Sequence, residues 1–368
     1  MKFVDEYQDN ELAGKIASEI ATLSTIPIKL MEFCGGHTHA IMRYGLRQLL
    51  PENIEMRSGP GCPVCVTANA DLDKAIALSL LPNTIVTTFG DMIRVPGSYS
   101  SLQQARARGA DIRIVYSTTD ALEIARNNPE KAVIFIGIGF ETTAPTVAAA
   151  ILRAQKEGIE NFSVLSCHKL TPPVIRALLE SGEVKIDGII CPGHVCVITG
   201  SRPYEFISRE YKIACAISGF EPLDILLCVY KLVKQIENGS PRMEIAYSRA
   251  IKPEGNKPAL KLMNEVFEPA DTVWRGIGTV PCSGLRIKAT YQCFDAAKIF
   301  KINMKPAREN KACRCGDILR ATATPVECPL FGKACTPEKP IGPCMVSSEG
   351  ACAAYYQYRR PEKEHDAA

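Results

Sequence analysis

Eight short apolar, β-rich runs alternate with segments of helical spacing between residues 28 and 240, and this rhythm restricts the fold more than any other feature of the chain. The runs are IKLMEF (28–33), NIEMRS (53–58), TIVTTF (84–89), DIRIVYS (111–117), AVIFIGIGF (132–140), FSVLSCHK (162–169), VKIDGIIC (184–191) and YKIACAIS (211–218). Between them, stretches such as 68–81, 143–158 and 172–182 carry apolar residues at helical spacing, and glycine closes two of these. Repeated βαβ units demand parallel strands with helices covering both faces. At 368 residues the chain can bury more than one core. The reading is therefore α/β: two doubly wound, Rossmann-like parallel-sheet domains plus a smaller Cys-rich iron–sulfur domain. The expected bounds are 1–125, 126–245 and 246–368, with the first cut near the turn NNPEK.

After about residue 240 the rhythm breaks, and from Lys305 onward Pro, Gly and Cys crowd a segment with little apolar periodicity. Such a segment cannot fold on apolar burial alone, so a metal centre is the natural substitute for a core. Six of the chain's 16 cysteines lie here, at 313, 315, 328, 335, 344 and 352. An iron–sulfur cluster needs four thiolates. Cys313, Cys328, Cys335 and Cys352 give C-x14-C-x6-C-x16-C, and sets that include Cys315 or Cys344 stay open on spacing. Structural zinc, the competing reading, is expected to use paired C-x2-C knuckles, which the tail lacks. Ordinary buried thiols are the third reading, and ligand softness favours the cluster.

Three further motifs follow directly on β-rich runs, where ligands gather in parallel sheets, and they point to one shared cleft. Cys34-Gly-Gly-His37-Thr-His39 sets a thiol beside two imidazoles, suited to a nucleophile with a base, to a soft metal ligand, or to a buried thiol with capping histidines. Gly59-Pro-Gly-Cys62-Pro-Val-Cys65 has the form of a dithiol/disulfide couple at a helix N-terminus, which favours thiolate. Its alternative, half of a zinc knuckle, has no second C-x2-C anywhere to complete it. Cys191-Pro-Gly-His194-Val-Cys196 adds a strand-end histidine. Gly137-Ile-Gly139-Phe-Glu-Thr142 opens like a dinucleotide fingerprint, but Thr142 replaces the third glycine and no clear acidic ribose partner follows. Glu141 and its threonines are instead expected to order a loop or a partner surface. Neither a phosphate-binding G-x4-G-K-[ST] loop nor H-E-x-x-H nor C-x3-C-x2-C occurs, which removes those enzyme classes.

The 43 basic and 40 acidic residues are dispersed, so no nucleic-acid footprint is present. The N-terminal stretch mixes charges where a leader would be apolar, and no run reaches the roughly 18 apolar residues of a membrane span. A cytoplasmic protein with no nucleic-acid or membrane partner is expected. In that reducing compartment 16 cysteines call for metal ligation or redox exchange.

Read in order, FCGGHTHA (33–40), GPGCPVC (59–65), GFETTAPT (139–146), PGHVCVITG (192–200) and the tail CGDILRATATPVECPLFGKAC with GPCMVSSEGACAAYY closely resemble the HypD family of NiFe-hydrogenase maturation factors, over nearly the whole chain. The resemblance implies a scaffold that, with a HypC-like small chaperone, holds iron while the Fe(CN)2CO unit is assembled. Cyano groups would come from a HypE-like donor after a HypF-like protein has processed carbamoyl phosphate. It also implies residue roles: Cys34 binds the transient iron, Cys62 and Cys65 form the redox pair, His194 faces the same cleft, and Cys313, Cys328, Cys335 and Cys352 hold a 4Fe-4S cluster. The expectation is a metallocentre-assembly scaffold with redox activity rather than a conventional turnover enzyme. The alternatives are a stand-alone iron–sulfur disulfide oxidoreductase, similar to ferredoxin-dependent disulfide reductases, and a zinc-stabilised binding module.

Overall fold

The structure, a computed structural model, describes residues 9–358. Residues 1–8, part of the stretch read for a leader, and the end of the third expected domain lie outside the described residues.

All eight runs form strands, somewhat trimmed: β1 Ile28–Glu32, β2 Ile54–Ser58, β3 Thr84–Thr88, β4 Asp111–Ile114, β5 Ala132–Gly137, β6 Phe162–Ser166, β7 Gly188–Cys191 and β8 Ala214–Ile217. A ninth, β9 Met243–Ile245, has only three residues, too few to show alternation. The strands make two wholly parallel sheets. One runs β2-β1-β7-β8-β9 and the other β4-β3-β5-β6. Central strands are buried on both faces, which is why β5 reads as a continuous apolar run, while β3, buried at all five residues, is built from the β-branched residues Thr, Ile and Val. Each fully buried Ile or Phe, such as Ile134 and Phe135, contributes about 1.5–3 kcal/mol.

Local signals set the helices between strands. Helix Thr118–Asn127 starts on a reciprocal capping box between Ser117 and Asp120. Helix Ala144–Glu157 has proline in its first turn and ends on Gly158, whose φ of 68° closes the helix in the left-handed region. No helix among the described residues is long and apolar enough to cross a membrane.

The expected cut near residue 125 does not separate the sheets. The chain lays down β1 and β2 in the first sheet, crosses to the second for β3 to β6, and returns to the first for β7 to β9. Residue 125 thus falls between β4 and β5, both of which pair with β3. Periodicity marks a strand but carries no information about which strand lies beside it. The segment after 246 is also divided. Helix Lys257–Val266 packs on helix Ala144–Glu157. An antiparallel hairpin, β10 Phe267–Trp274 with β11 Gly278–Ile287, lies against β6, with Ser166 Oγ donating to the Leu285 carbonyl at 2.7 Å. Beyond residue 305 the chain returns to the first sheet, where helix Ala351–Tyr358 packs on helix Gly35–Arg43.

Each sheet reverses its winding once, between β1 and β7 in the first and between β3 and β5 in the second. At such a reversal the loops leaving adjacent strands diverge and open a crevice.

Candidate metal and thiol site

The two crevices face each other. Cys34 after β1, His194 after β7, Phe89 to Met92 after β3, and Ile138 to Phe140 with Thr142 and Thr143 after β5 supply most of the lining of one cleft of about 560 Å³. Ser347, Ser348 and Glu349 of the tail complete it.

Cys34 is the extended residue that opens helix Gly35–Arg43. Its amide donates to Glu32 Oε2 at 3.0 Å, and the Thr38 hydroxyl donates to the other oxygen of that carboxylate. Burial pushes the Glu32 carboxyl up to about 8. Burial likewise pushes the Cys34 thiol well up, and the carboxylates of Glu349 and Glu32 add to the effect. Cys34 is therefore a poor free nucleophile and suits a role in which a bound cation supplies the compensating charge.

Glycines bring the motifs together. A Cβ on Gly61 would collide with the Cys34 backbone, and the Gly35 amide donates to the Gly61 carbonyl at 3.0 Å. Only glycine allows the C-P-V-C loop to sit this close behind Cys34. A Cβ on Gly36 would come within 2.9 Å of the Phe220 ring, and one on Gly193 would lie 3.1 Å from the same ring. Phe220 is a wedge between two histidines: its ring stacks on His194 with centroids 3.8 Å apart and on His37 at 4.6 Å. His37 is fully buried, lies 3.0 Å by Nε2 from the Gly219 carbonyl, and is pushed down to about 4 by burial. His39 reaches the Ser348 carbonyl at 3.2 Å. Both therefore serve the loop structure, while His194 is exposed in the cleft.

Cys62 and Cys65 lie behind the cleft, 4% and 1% exposed, with the Cys65 amide donating to Cys62 Sγ at 3.3 Å. The expected thiolate character is not what Cys65 shows. Its helix is a single turn, Pro63–Val66, and burial raises the thiol well above its ordinary value, with Cys344 and Cys62 as further causes. From Cys65 a line of sulfur contacts leads into the tail. The Cys315 and Cys65 thiols donate to Cys344, which holds Cys344 below its ordinary value. Cys315 in turn neighbours Cys352 and lies 3.2 Å by sulfur from Cys313.

Among the tail cysteines, Cys313, Cys344 and Cys352 neighbour Cys315, and Cys335 lies near Cys313 and Cys315. The donor set is soft, and the surroundings fit an iron–sulfur cluster. The Ile341 amide donates to Cys335 Sγ at 3.3 Å. A Cβ on Gly342 would meet Cys315 Sγ at 2.5 Å and Cys313 Sγ at 2.7 Å, so only glycine leaves this cradle of sulfurs room.

Cys191 and Cys196 are fully buried away from the cleft, and burial raises both thiols. Glu141 orders a loop, as expected: its carboxylate accepts from the amide of Thr171 at 2.9 Å and from its hydroxyl, and that hydroxyl lies 2.6 Å from the Tyr204 hydroxyl. Phe220 and Glu349 escaped the sequence reading. The position of Phe220 just after a β-rich run was a usable signal; its apolar ring carried no chemistry to draw notice.

Fold and site together define a doubly wound α/β protein whose N-terminal thiols and C-terminal cysteine array converge behind a single cleft. Comparison with known proteins narrows that class. The HypD family model, described as the hydrogenase formation hypA family, matches residues 10–359. The chain is 49% identical over 370 residues to the hydrogenase maturation factor HypD of Cupriavidus necator, covering 98% of each. It is also 49% identical to HypD2 of Bradyrhizobium diazoefficiens, covering 98% of this chain and 97% of that one. With HypD of Rhodobacter capsulatus the identity is 46%, covering 97% and 98%. The chain belongs to the HypD family of hydrogenase maturation factors.

Proposed function

We propose that the cleft holds iron while the Fe(CN)2CO centre of NiFe-hydrogenase is assembled, with a HypC-like small protein completing the site and a HypE-like protein delivering cyano groups. The observation that carries this reading is the meeting of Cys34 and His194 at the β1/β7 crevice, which faces the β3/β5 crevice across the cleft, with the C-P-V-C pair seated directly behind them. Among the described residues no three His, Cys, Asp or Glu side chains converge on one ion position. Cys34 and His194, which both line the cleft, would act as donors to the iron, and the open cleft leaves room for a partner's ligand. Cys34 contributes a soft thiolate once iron neutralises it, and Phe220 fixes the plane of the His194 ring.

A cyano group carried as a protein thiocyanate is electrophilic at carbon, whereas the iron ligand is cyanide. Breaking the S–CN bond to give a thiol and cyanide takes up two electrons and one proton. Cys62 and Cys65 supply the two electrons by closing to a disulfide, and release two protons. Cys313, Cys328, Cys335 and Cys352 would hold a 4Fe-4S cluster, which supplies one electron at a time when bound. Cys315 and Cys344 bridge the distance between that array and Cys65. The site of action is the cytoplasm, where free thiols persist.

Cys62→Ser tests the division of labour. Hydrogenase maturation is abolished while the absorbance and iron content of the tail cluster stay at the level of the unaltered chain. Loss of the cluster together with maturation would contradict separate sites.

A further inference from the structure

Arg275 occupies a position that none of the roles above uses. It leads the turn between β10 and β11, and its amide donates to the Val66 carbonyl at 2.9 Å, one residue beyond Cys65. The next residue, Gly276, has a φ of 74° and is pressed against Gly316, while Arg320 donates to its carbonyl. The turn is thus wedged between the C-P-V-C helix and the cysteine array. Arg275 is only 6% exposed and lines a cavity of about 380 Å³ with Cys313, Cys315, Gly342 and Arg308.

Its guanidinium cannot shed its proton. Two of its nitrogens, Nε and Nη2, are buried with no hydrogen-bond partner among the described residues. Each unmet buried donor costs about 1–3 kcal/mol, and a buried charge without a counter-charge costs more. A native fold does not carry that cost without return. The negative groups that act on Arg275 are Glu309 and then Cys315, Cys344 and Cys65. Glu309 is exposed, so solvent weakens its pull without removing it, whereas the sulfurs are buried and are screened less.

We infer that Arg275 is the charge partner of the buried sulfur array, a positioning residue that makes the array easier to reduce. The inference rests on the cluster assignment under the proposed function. Reduction adds one electron to the array without making or breaking a bond, and a fixed positive charge beside it stabilises the added negative charge. Removing the charge makes reduction harder. Removing Glu309, which partly cancels it, does the opposite.

The test is a redox titration of the full-length chain, purified without oxygen with its cluster loaded and followed by EPR and absorbance, for the unaltered chain and for Arg275→Gln, Arg275→Lys and Glu309→Gln. Arg275→Gln is expected to move the midpoint to a more negative potential at unchanged iron content. Arg275→Lys recovers most of that shift, and Glu309→Gln moves the midpoint to a more positive potential. Midpoints of Arg275→Gln and Glu309→Gln equal to that of the unaltered chain overturn the inference. Should Arg275→Gln fail to fold or load, Glu309→Gln decides alone, and an unmoved midpoint there overturns it. An unaltered chain that takes up no iron contradicts the cluster assignment itself, and the inference falls with it.

Discussion

Phe220 and His194 stack at 3.8 Å between ring centroids with their planes 24° apart, which ties a strand-end histidine of the cleft to the loop after β8. His37 covers the other face of the same ring. Phe220→Ala removes the wedge. It is expected to lower stability by about 2 kcal/mol and to weaken iron retention in the cleft, because His194 is then free to rotate away. Phe220→Tyr keeps the stack and retains iron. Thermal unfolding and iron content after gel filtration check both, and Phe220→Ala that unfolds earlier yet holds iron as well as the unaltered chain would contradict the positioning role.

Glu141 makes stability depend on pH. Its carboxyl is pushed up from 4.5 to about 7 by burial, so the folded chain binds more protons than the unfolded chain between those values. Stability contributed by this group is full below about pH 4.5, falls as pH rises through the window, and changes no further above about 7. Glu141→Gln, which keeps an acceptor for Thr171 and cannot ionise, loses that slope. Relative to the unaltered chain it should gain on the order of 3 kcal/mol on moving from pH 4 to pH 8. Anaerobic urea unfolding at the two pH values measures the difference, and parallel pH profiles for the two chains would sink the assignment.

Under the proposed assignment the tail cysteines divide into ligands and neighbours. Single serine substitutions at Cys313, Cys328, Cys335 and Cys352 are expected to lose iron and the EPR signal, while those at Cys315 and Cys344 keep iron and lose hydrogenase maturation. Retained iron in Cys313→Ser together with its loss in Cys315→Ser would exchange the two roles, which their 3.2 Å sulfur separation makes the sharpest point of the scan.

Gly342→Ala puts a methyl group 2.5 Å from Cys315 Sγ and 2.7 Å from Cys313 Sγ. Cluster content should fall several-fold in a chain whose far-ultraviolet circular dichroism is unchanged. Full cluster loading in this variant would show that the cradle is not part of the cluster site.

The extent to which these features were legible in the sequence follows from their physics. Strands buried on both faces stood out, β5 as a continuous apolar run and β3 as an unbroken run of the strand-favouring residues Thr, Ile and Val. The neighbour of each strand is set by contacts far apart in sequence, which is why the cut near residue 125 ran through the second sheet. The hairpin went unseen because β10 is buried only at its ends, Phe267 and Trp274, with Pro269, Asp271 and Val273 exposed between them, and so lacks the apolar run of a covered strand. The shared cleft position of Cys34 and His194 was legible because loops after parallel strands open into such clefts. Arg275 was not, since its burial depends on a turn docking between two segments that lie far from it in the chain.

The central claim is that Cys34 in the shared cleft holds the iron that receives its cyanide and carbon monoxide ligands. Infrared spectroscopy of the anaerobically purified chain with its HypC-like partner tests this most directly, comparing the unaltered chain with Cys34→Ser at matched tail-cluster content. Bands of metal-bound cyanide and carbon monoxide are expected in the unaltered complex and absent from Cys34→Ser. Bands of equal intensity in both, or no bands in the unaltered complex alongside turnover of a disulfide substrate, would contradict it.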